Sequence, residues 1–339
     1  MVSQNVFEKC ERLAAKHGAS EVIFLGDLLH ESTVDARTLK VLVDCLQAWE
    51  EPALTMLPGN HTAQDAVRGV FVENGLRNIN PGFVTMIDGG DVTVRKRGWL
   101  TIHYVPYMEN NDAAKAIEGI ELDRKQFNLL AIHQSVAGCS HAGWTCKEDA
   151  GLNSRLFDRF DLTIAGHFHP HQTFRGGFYV GSPCQLDFRD GDQKRGAVLL
   201  TVNKDKTWKK KLIELDLPRF ITVKGKVTSR GFEIDCDPSE LEGHYVRVQY
   251  TGSNLAVKAC SAEIGVFVEE VSKVALGVKK DPRLTYHIVK RAPGIKSGMS
   301  VRSMFDRYVE SGVHDTTGLS KKRLSRIAHR AIEEASDVA

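Results

Sequence analysis

The chain has no Cys-x-x-Cys pair, and its seven cysteines are an odd set in 339 residues. A disulfide framework shows an even, closely spaced set, so reduced thiols and a cytoplasmic setting are expected. No apolar run reaches the roughly 18 residues that span a bilayer, and no basic-then-apolar leader opens the sequence, so no membrane association is expected. Proline is scarce at 10 residues, with no internal repeat and no low-complexity tract, which argues against fibrous or disordered classes. An excess of one charge is also missing. Lys plus Arg number 45 against 43 Asp plus Glu, a net +2, so the total announces no nucleic-acid binder while leaving room for a local basic groove. What is present is ordinary globular material, 42% hydrophobic and 26% charged, long enough for two domains. The 13 histidines are the unusual number, and their placement matters more than their count.

Residues 6–17 carry Val6, Cys10, Leu13 and Ala14 at helical spacing, and residues 38–49 repeat this with Leu39, Leu42, Val43 and Leu46. Between and after them come short apolar runs at 21–25 and 53–57, each ending in a polar cluster, as buried parallel strands do. Further strands are predicted at 92–94, 100–105, 128–133, 162–165, 177–180 and 197–202. The alternation reads as a layered α/β domain. The charged stretch 204–211 and the segment 216–218 break it, and strands at 220–227, 245–250 and 265–271 read as a smaller α+β domain. At the end, Val301, Met304, Phe305, Tyr308 and Val309, then Leu324, Ile327, Ala328, Ala331 and Ile332, mark two amphipathic helices that start after Ser300 and Ser320 and flank a link containing Gly318. They cover their own protein or dock on a partner.

Four predicted strand ends deliver metal-ligand chemistry: Gly26-Asp27 with His30, Gly59-Asn60-His61, His133, and Gly166-His167-Phe168-His169. In an open α/β sheet the carboxyl ends of strands line the ligand crevice, so these groups are expected to converge. A carboxylate can bridge two divalent ions, imidazoles suit Mn, Fe or Zn, and an Asn carbonyl adds a neutral oxygen. Alternate residues of an extended chain share a side, which puts His167 and His169 together. Taken singly, each motif is ordinary: Gly-Asp is a turn, Gly-Asn-His a loop, and His133 a buried histidine.

As a series, Gly-Asp-Leu-Leu-His, Gly-Asn-His, a strand-end His and Gly-His-Phe-His resemble the motifs of the calcineurin-like metallophosphoesterases. The run from Leu156 through Gly166-His-Phe-His-Pro-His-Gln172, followed by Tyr179-Val-Gly-Ser-Pro-Cys-Gln-Leu-Asp-Phe188, resembles the SbcD-type DNA repair nucleases. The likeness covers about residues 20–225. It implies a metallophosphoesterase domain at 1–215, a capping or DNA-binding domain at 216–295, and at 296–339 a helix-loop-helix that docks on an SbcC-type coiled-coil ATPase. It further implies two divalent ions, manganese or else magnesium. Asp27 would bridge them, Asn60, His133 and His167 would complete one site, and His169 would belong to the other. His61 would act on the scissile phosphate as general acid or transition-state stabiliser. The implied reaction is exonucleolytic and endonucleolytic hydrolysis of DNA by metal-activated water, and the implied assembly includes DNA, the ATPase and a homodimer through residues 39–49 or the first helix.

One departure stands out. The family opens with a strand ending in Asp-x-His, and this sequence begins within the helix that would follow it. One ion site then keeps only Asp27 and His169, and the expectation is a functional protein that starts further upstream, against the alternative of a one-metal or non-catalytic DNA- or ATPase-binding subunit. A phosphatase or phosphodiesterase on the same centre is the other alternative. His30 is read as a neighbour of the site rather than a ligand. Cys139, His141 and Cys146 share one loop but fall short of the four ligands of structural zinc. In that loop Trp144 and Lys147 are candidates to stack on or steer DNA. Residues 280–339 hold 12 Lys plus Arg against seven Asp plus Glu, so positive charge gathers toward the tail.

Overall fold

The computed structural model describes residues 2–141, 143–191, 193–285, 298–311 and 320–336. Helix α1 (Val2–Lys16) and helix α2 (Ala36–Ala48) lie on a parallel sheet of β1 (Glu21–Phe24), β2 (Ala53–Met56) and β3 (Val84–Met86), in that spatial order. Asp35 caps α2 by accepting from the N–H groups of Arg37 and Thr38, which satisfies donors the first turn leaves open. Phe7, Leu42, Leu46 and Trp49 pack with Leu54, Met56, Val84 and Met86. Alternation along β1 assigns the faces: Val22 and Phe24 meet this helical layer, while Ile23 and Leu25 look the other way.

The other face meets a second sheet, made of β4 (Thr93–Arg97), β5 (Leu100–Val105), β6 (Phe127–His133), β7 (Leu162–Gly166), β8 (Gln172–Phe174) and β9 (Gly177–Tyr179). Its spatial order is β8-β9-β7-β6-β5-β4, parallel in the centre with antiparallel edges. Leu25, Leu57 and Ile87 pack against Ile102, Phe127, Leu129 and Ile164 between the sheets. Leu130, Ile132 and Ala165 fill the opposite face with Ala113 and Ile117 of α3 (Asn110–Glu118) and with Phe157. Each fully buried Leu or Phe here contributes about 1.5–3 kcal/mol. The result is a mixed α/β architecture with helices outside two facing sheets, as the alternation of the sequence implied.

Parity then places the chemistry. In β6, Phe127, Leu129 and Ala131 face the first sheet, so His133 at the strand end faces it too. Gly166 is paired with His133 in register, and a Cβ there would lie 2.0 Å from the Leu25 carbonyl oxygen.

The charged run predicted to break the domain is instead half of an antiparallel pair, β10 (Gly196–Val202) with β11 (Trp208–Glu214). Lys209 and Lys211 point outward, and Lys210 lies over the Phe178 ring at 4.3 Å. Beyond it a four-stranded sheet runs β13 (Gly231–Ile234), β12 (Phe220–Thr228), β14 (Tyr245–Ser253), β15 (Gly277–Thr285) in spatial order. The strand expected at 265–271 is a correction: the segment lies in helix α5 (Ser261–Val274), which follows α4 (Asn254–Ala259). Ile264, Phe267 and Val271 are its buried residues, at spacing i, i+3, i+7, and this period prevails over the β-branched composition.

The chain divides into two compact units. One comprises Met1–Lys224, Asp235–Gln249 and Val266–Asp281; the other comprises Gly225–Ile234, Tyr250–Gly265 and Pro282–Ala339. Within the second, Glu263 accepts the Phe232 N–H at 2.8 Å. The two tail helices are α6 (Val301–Glu310), capped by Ser300, and α7 (Lys321–Ser336), joined to each other by Asp306 to His329 at 2.6 Å and Arg302 to Glu333 at 3.0 Å. The link with Gly318 and the expected boundary at 295–296 lie outside the described residues. No helix among the described residues is long and apolar enough to cross a membrane.

Candidate metal centre

Asp27 stands two residues beyond Leu25, after a turn in which Gly26 has φ 97° and Asp27 itself φ 55°. Gly59 precedes the short 3-10 turn Asn60–Thr62 that follows β2. Both glycines are dictated by contact. A Cβ on Gly26 would lie 2.1 Å from His133 Nδ1, and one on Gly59 would lie 2.3 Å from the Asp27 backbone nitrogen. The two turns therefore nest, and the His61 N–H donates to Asp27 Oδ1 at 3.1 Å.

Four predicted ligands meet at this junction. His133 Nε2 lies 3.1 Å from Asp27 Oδ2 and 3.1 Å from Asn60 Oδ1, and His167 Nδ1 lies 2.8 Å from the same Asn60 oxygen. The ligand atoms of Asp27, His133 and His167 all fall within 4.8 Å of one another, the one such group among the described residues. Two donors bonded at right angles to one ion at about 2.1 Å would sit ~3 Å apart, so the observed spacing fits a single coordination sphere.

The hydrogen bonding also fits. His133 is fully buried, and its Nδ1 faces the Leu25 carbonyl at 2.5 Å. A carbonyl only accepts, so Nδ1 carries the proton and the Nε2 lone pair is turned to the cluster, the arrangement of a ligand histidine held from behind. Nε2 then confronts a carboxylate oxygen and an amide oxygen, both acceptors. A cation, either a proton or a metal ion, satisfies all three. Asp27, Asn60, His133 and His167 are thus the residues that would hold a divalent ion.

Electrostatics and backbone agree. Burial pushes the Asp27 carboxyl up, but His133 and the His61 N–H outweigh it and hold the group at about 2. Burial, reinforced by His133, drives His167 down to about 3, so its imidazole is neutral and available as a donor. Asp27 and His167 (φ 99°) are two of the three non-glycine residues with positive φ among the described residues; Lys206, in the β10–β11 turn, is the third. Strained backbone of this kind persists where the surroundings over-determine it, commonly at functional sites.

His61 turns its Nδ1 to the His30 carbonyl at 2.7 Å, and the His30 ring stacks on it at 5.2 Å. Nδ1–H is thereby committed, and Nε2 is left to exchange a proton. His169 does not join the cluster of three. Because His167 is left-handed rather than extended, the two imidazoles part. His169 Nδ1 lies 3.8 Å from Asp190, and its ring meets His141 edge-on at 4.5 Å. Arg195 secures this corner through Asp190 Oδ1 at 2.8 Å and the His169 carbonyl. Sequence reasoning missed Asp190 and Arg195, which carry no motif of their own.

The 139–146 loop is a hairpin in which Ser140 and His141 pair with Thr145 and Trp144. Cys139 and Cys146 are buried in the outer core, and all seven cysteines are free. Trp144 is 48% exposed, and Lys147, three residues on, is exposed as well. No protein-family model matches the chain, and no curated protein matches it.

Proposed function

We propose that this chain is a metal-dependent phosphoesterase of the calcineurin-like kind that hydrolyses DNA phosphodiesters, the nuclease partner of an SbcC-type coiled-coil ATPase. The observation that carries the reading is the convergence of candidate ligand atoms from four separate segments, Asp27, Asn60, His133 and His167, on one point suited to a cation. The family resemblance points to Mn2+ or else Mg2+, and a mixed set of oxygen and imidazole donors suits Mn2+ better than Mg2+. A bound ion supplies Lewis-acid polarisation of a phosphoryl oxygen and eases deprotonation of water. The protein's own share is positional. His133 and Asn60 orient the cluster, and His61, with Nδ1 held by His30, offers Nε2 to the leaving oxygen. Trp144, exposed on the hairpin that packs over Phe168, and Lys147, exposed just after it, suit a base face and a phosphate. The free thiols agree with a cytoplasmic protein. A second ion would need Asp27 and His169, with the capping sheet and α6–α7 as DNA and ATPase contacts.

The test is Mn2+ binding by calorimetry together with hydrolysis of linear and circular DNA and of a chromogenic phosphodiester. Expected are ion uptake and DNA cleavage, both abolished by His133→Ala. Cleavage of the chromogenic ester alone would transfer the activity to small phosphodiesters, and no ion uptake would defeat the reading. A second reading follows from His169 lying with Asp190 and His141: a one-ion chain that binds DNA or the ATPase without turnover. One ion per chain with no hydrolysis of either substrate would favour it.

A further inference from the structure

Resting on the metal-centre reading, the structure points to a positioning device behind it. Phe168, between His167 and His169, is 2% exposed and is enclosed by rings. Tyr179 stacks on it at 4.9 Å and 21°, His141 at 5.6 Å and 16°, and Trp144 meets it edge-on at 5.7 Å. The His167 ring itself lies 5.1 Å away, tilted by 28°.

His141 does more than fill space. Its Nδ1 accepts the backbone N–H of His169 at 3.5 Å, so one side chain holds both the Phe168 ring and the backbone that follows it. The hairpin that carries His141 is itself anchored. Gln172 accepts the Ser140 N–H at 2.8 Å and donates to the Ser140 carbonyl at 2.7 Å. On the far side the Tyr179 hydroxyl donates to the Gln134 carbonyl at 2.7 Å and accepts the Val136 N–H at 2.8 Å. Gln134 follows His133. A continuous path therefore runs from one ligand histidine through Tyr179 and Phe168 to the other.

We infer that this clamp presets His167 for the ion, and that His141 is a positioning residue of the metal centre although it does not belong to the ligand cluster. The physical need is the backbone of His167: at φ 99° it holds an unfavourable conformation that relaxes unless neighbours fix it. Removing the His141 ring frees one face of Phe168 and lets the ligand sample other positions, which weakens ion binding without removing any donor.

Co2+ serves as the probe, because its visible absorption reports ligand geometry. The unaltered chain, His141→Ala and His141→Phe are titrated with Co2+ and followed by absorption and calorimetry, with thermal unfolding of the metal-free proteins alongside. His141→Ala is expected to bind on the order of fivefold more weakly, about the worth of one aromatic contact, with an altered absorption band. His141→Phe, which keeps the stack, should recover most of that loss. Should His141→Ala fail to fold, His141→Gln, which keeps an acceptor and loses the ring, replaces it. Equal Co2+ affinity and an unchanged band in the ring-less variant, with only the unfolding temperature lowered, would mean that His141 is merely structural and would overturn the inference. No Co2+ uptake by the unaltered chain would overturn the metal reading and this inference with it.

Discussion

Gly26→Ala is the most informative single perturbation, because the structure assigns it two separate penalties. At φ 97° an L-residue is strained by about 1–2 kcal/mol. The new methyl would also stand 2.1 Å from Nδ1 and 2.8 Å from Cε1 of His133, a ring with no exposure and no room to yield without losing its bond to the Leu25 carbonyl. Leaving that buried pair unmade costs about 1–3 kcal/mol more. Gly98→Ala isolates the first penalty. Gly98, in the turn between β4 and β5, has φ 59° and nothing within 4 Å of a Cβ. At roughly 2–4 °C per kcal/mol for a domain of this size, the Gly98 variant should lose a few degrees of thermal midpoint and the Gly26 variant about 5–15 °C. Scanning calorimetry of metal-free protein measures the difference. Mn2+ titration adds a second readout, with affinity falling at least tenfold in the Gly26 variant and unchanged in the other. If Gly26→Ala proves no less stable than Gly98→Ala and binds Mn2+ like the unaltered chain, the placement of His133 against the Gly26 turn is not what organises the site.

Tyr179→Phe should destabilise by about 1–3 kcal/mol in urea unfolding, since it strands both the Gln134 carbonyl and the Val136 N–H in a buried setting. Burial, helped by the charges of Arg159 and Lys96, lowers His103 from its ordinary value of 6.5. The unfolded chain therefore takes up a proton that the folded one resists, and this contribution to stability is complete above about pH 6.5 and declines as pH falls below it. Replacing His103 with Gln should flatten the urea midpoint between pH 7.5 and 5.5; an equal pH slope in both proteins would contradict the assignment. Asn60→Leu removes the oxygen shared by His133 and His167 and should weaken Mn2+ binding by more than tenfold with little change in the metal-free melting temperature.

The elements that frame the site were legible because their patterns are local. The runs before Gly26 and Gly166 are short, apolar and closed by glycine, and the parity of β6 delivers His133 to the inter-sheet face. Two segments misled for physical reasons. Residues 265–271 hold β-branched side chains that suit a strand, yet Ile264, Phe267 and Val271 bury one helical stripe. Lys209–Lys211 look like a solvated break, but an edge hairpin tolerates lysine on its outer face, and one of the three folds over Phe178. At the site, Asp27, Asn60, His133 and His167 came from motif and spacing. The separation of His169 from them came only from the family resemblance, because spacing along an extended chain sets it beside His167 and the positive φ at His167 leaves no pattern in the sequence. The roles of His141, Tyr179 and Gln172 were equally hidden. They arise from contacts between segments remote in sequence, with no repeating pattern to announce them.

The four candidate ligands come in pairs from the two sheets: Asp27 and Asn60 follow β1 and β2, whereas His133 and His167 end β6 and follow β7. An ion held there is a rivet across the seam between the sheets as well as a reagent. Because it binds only when the seam is closed, its concentration enters the folding equilibrium, adding about 2.7 kcal/mol when free metal is a hundredfold above its dissociation constant. The abundance of the protein in a cell would then track metal supply. In scarcity the seam would open more often and become open to proteases, so the population of chains would fall together with the ion.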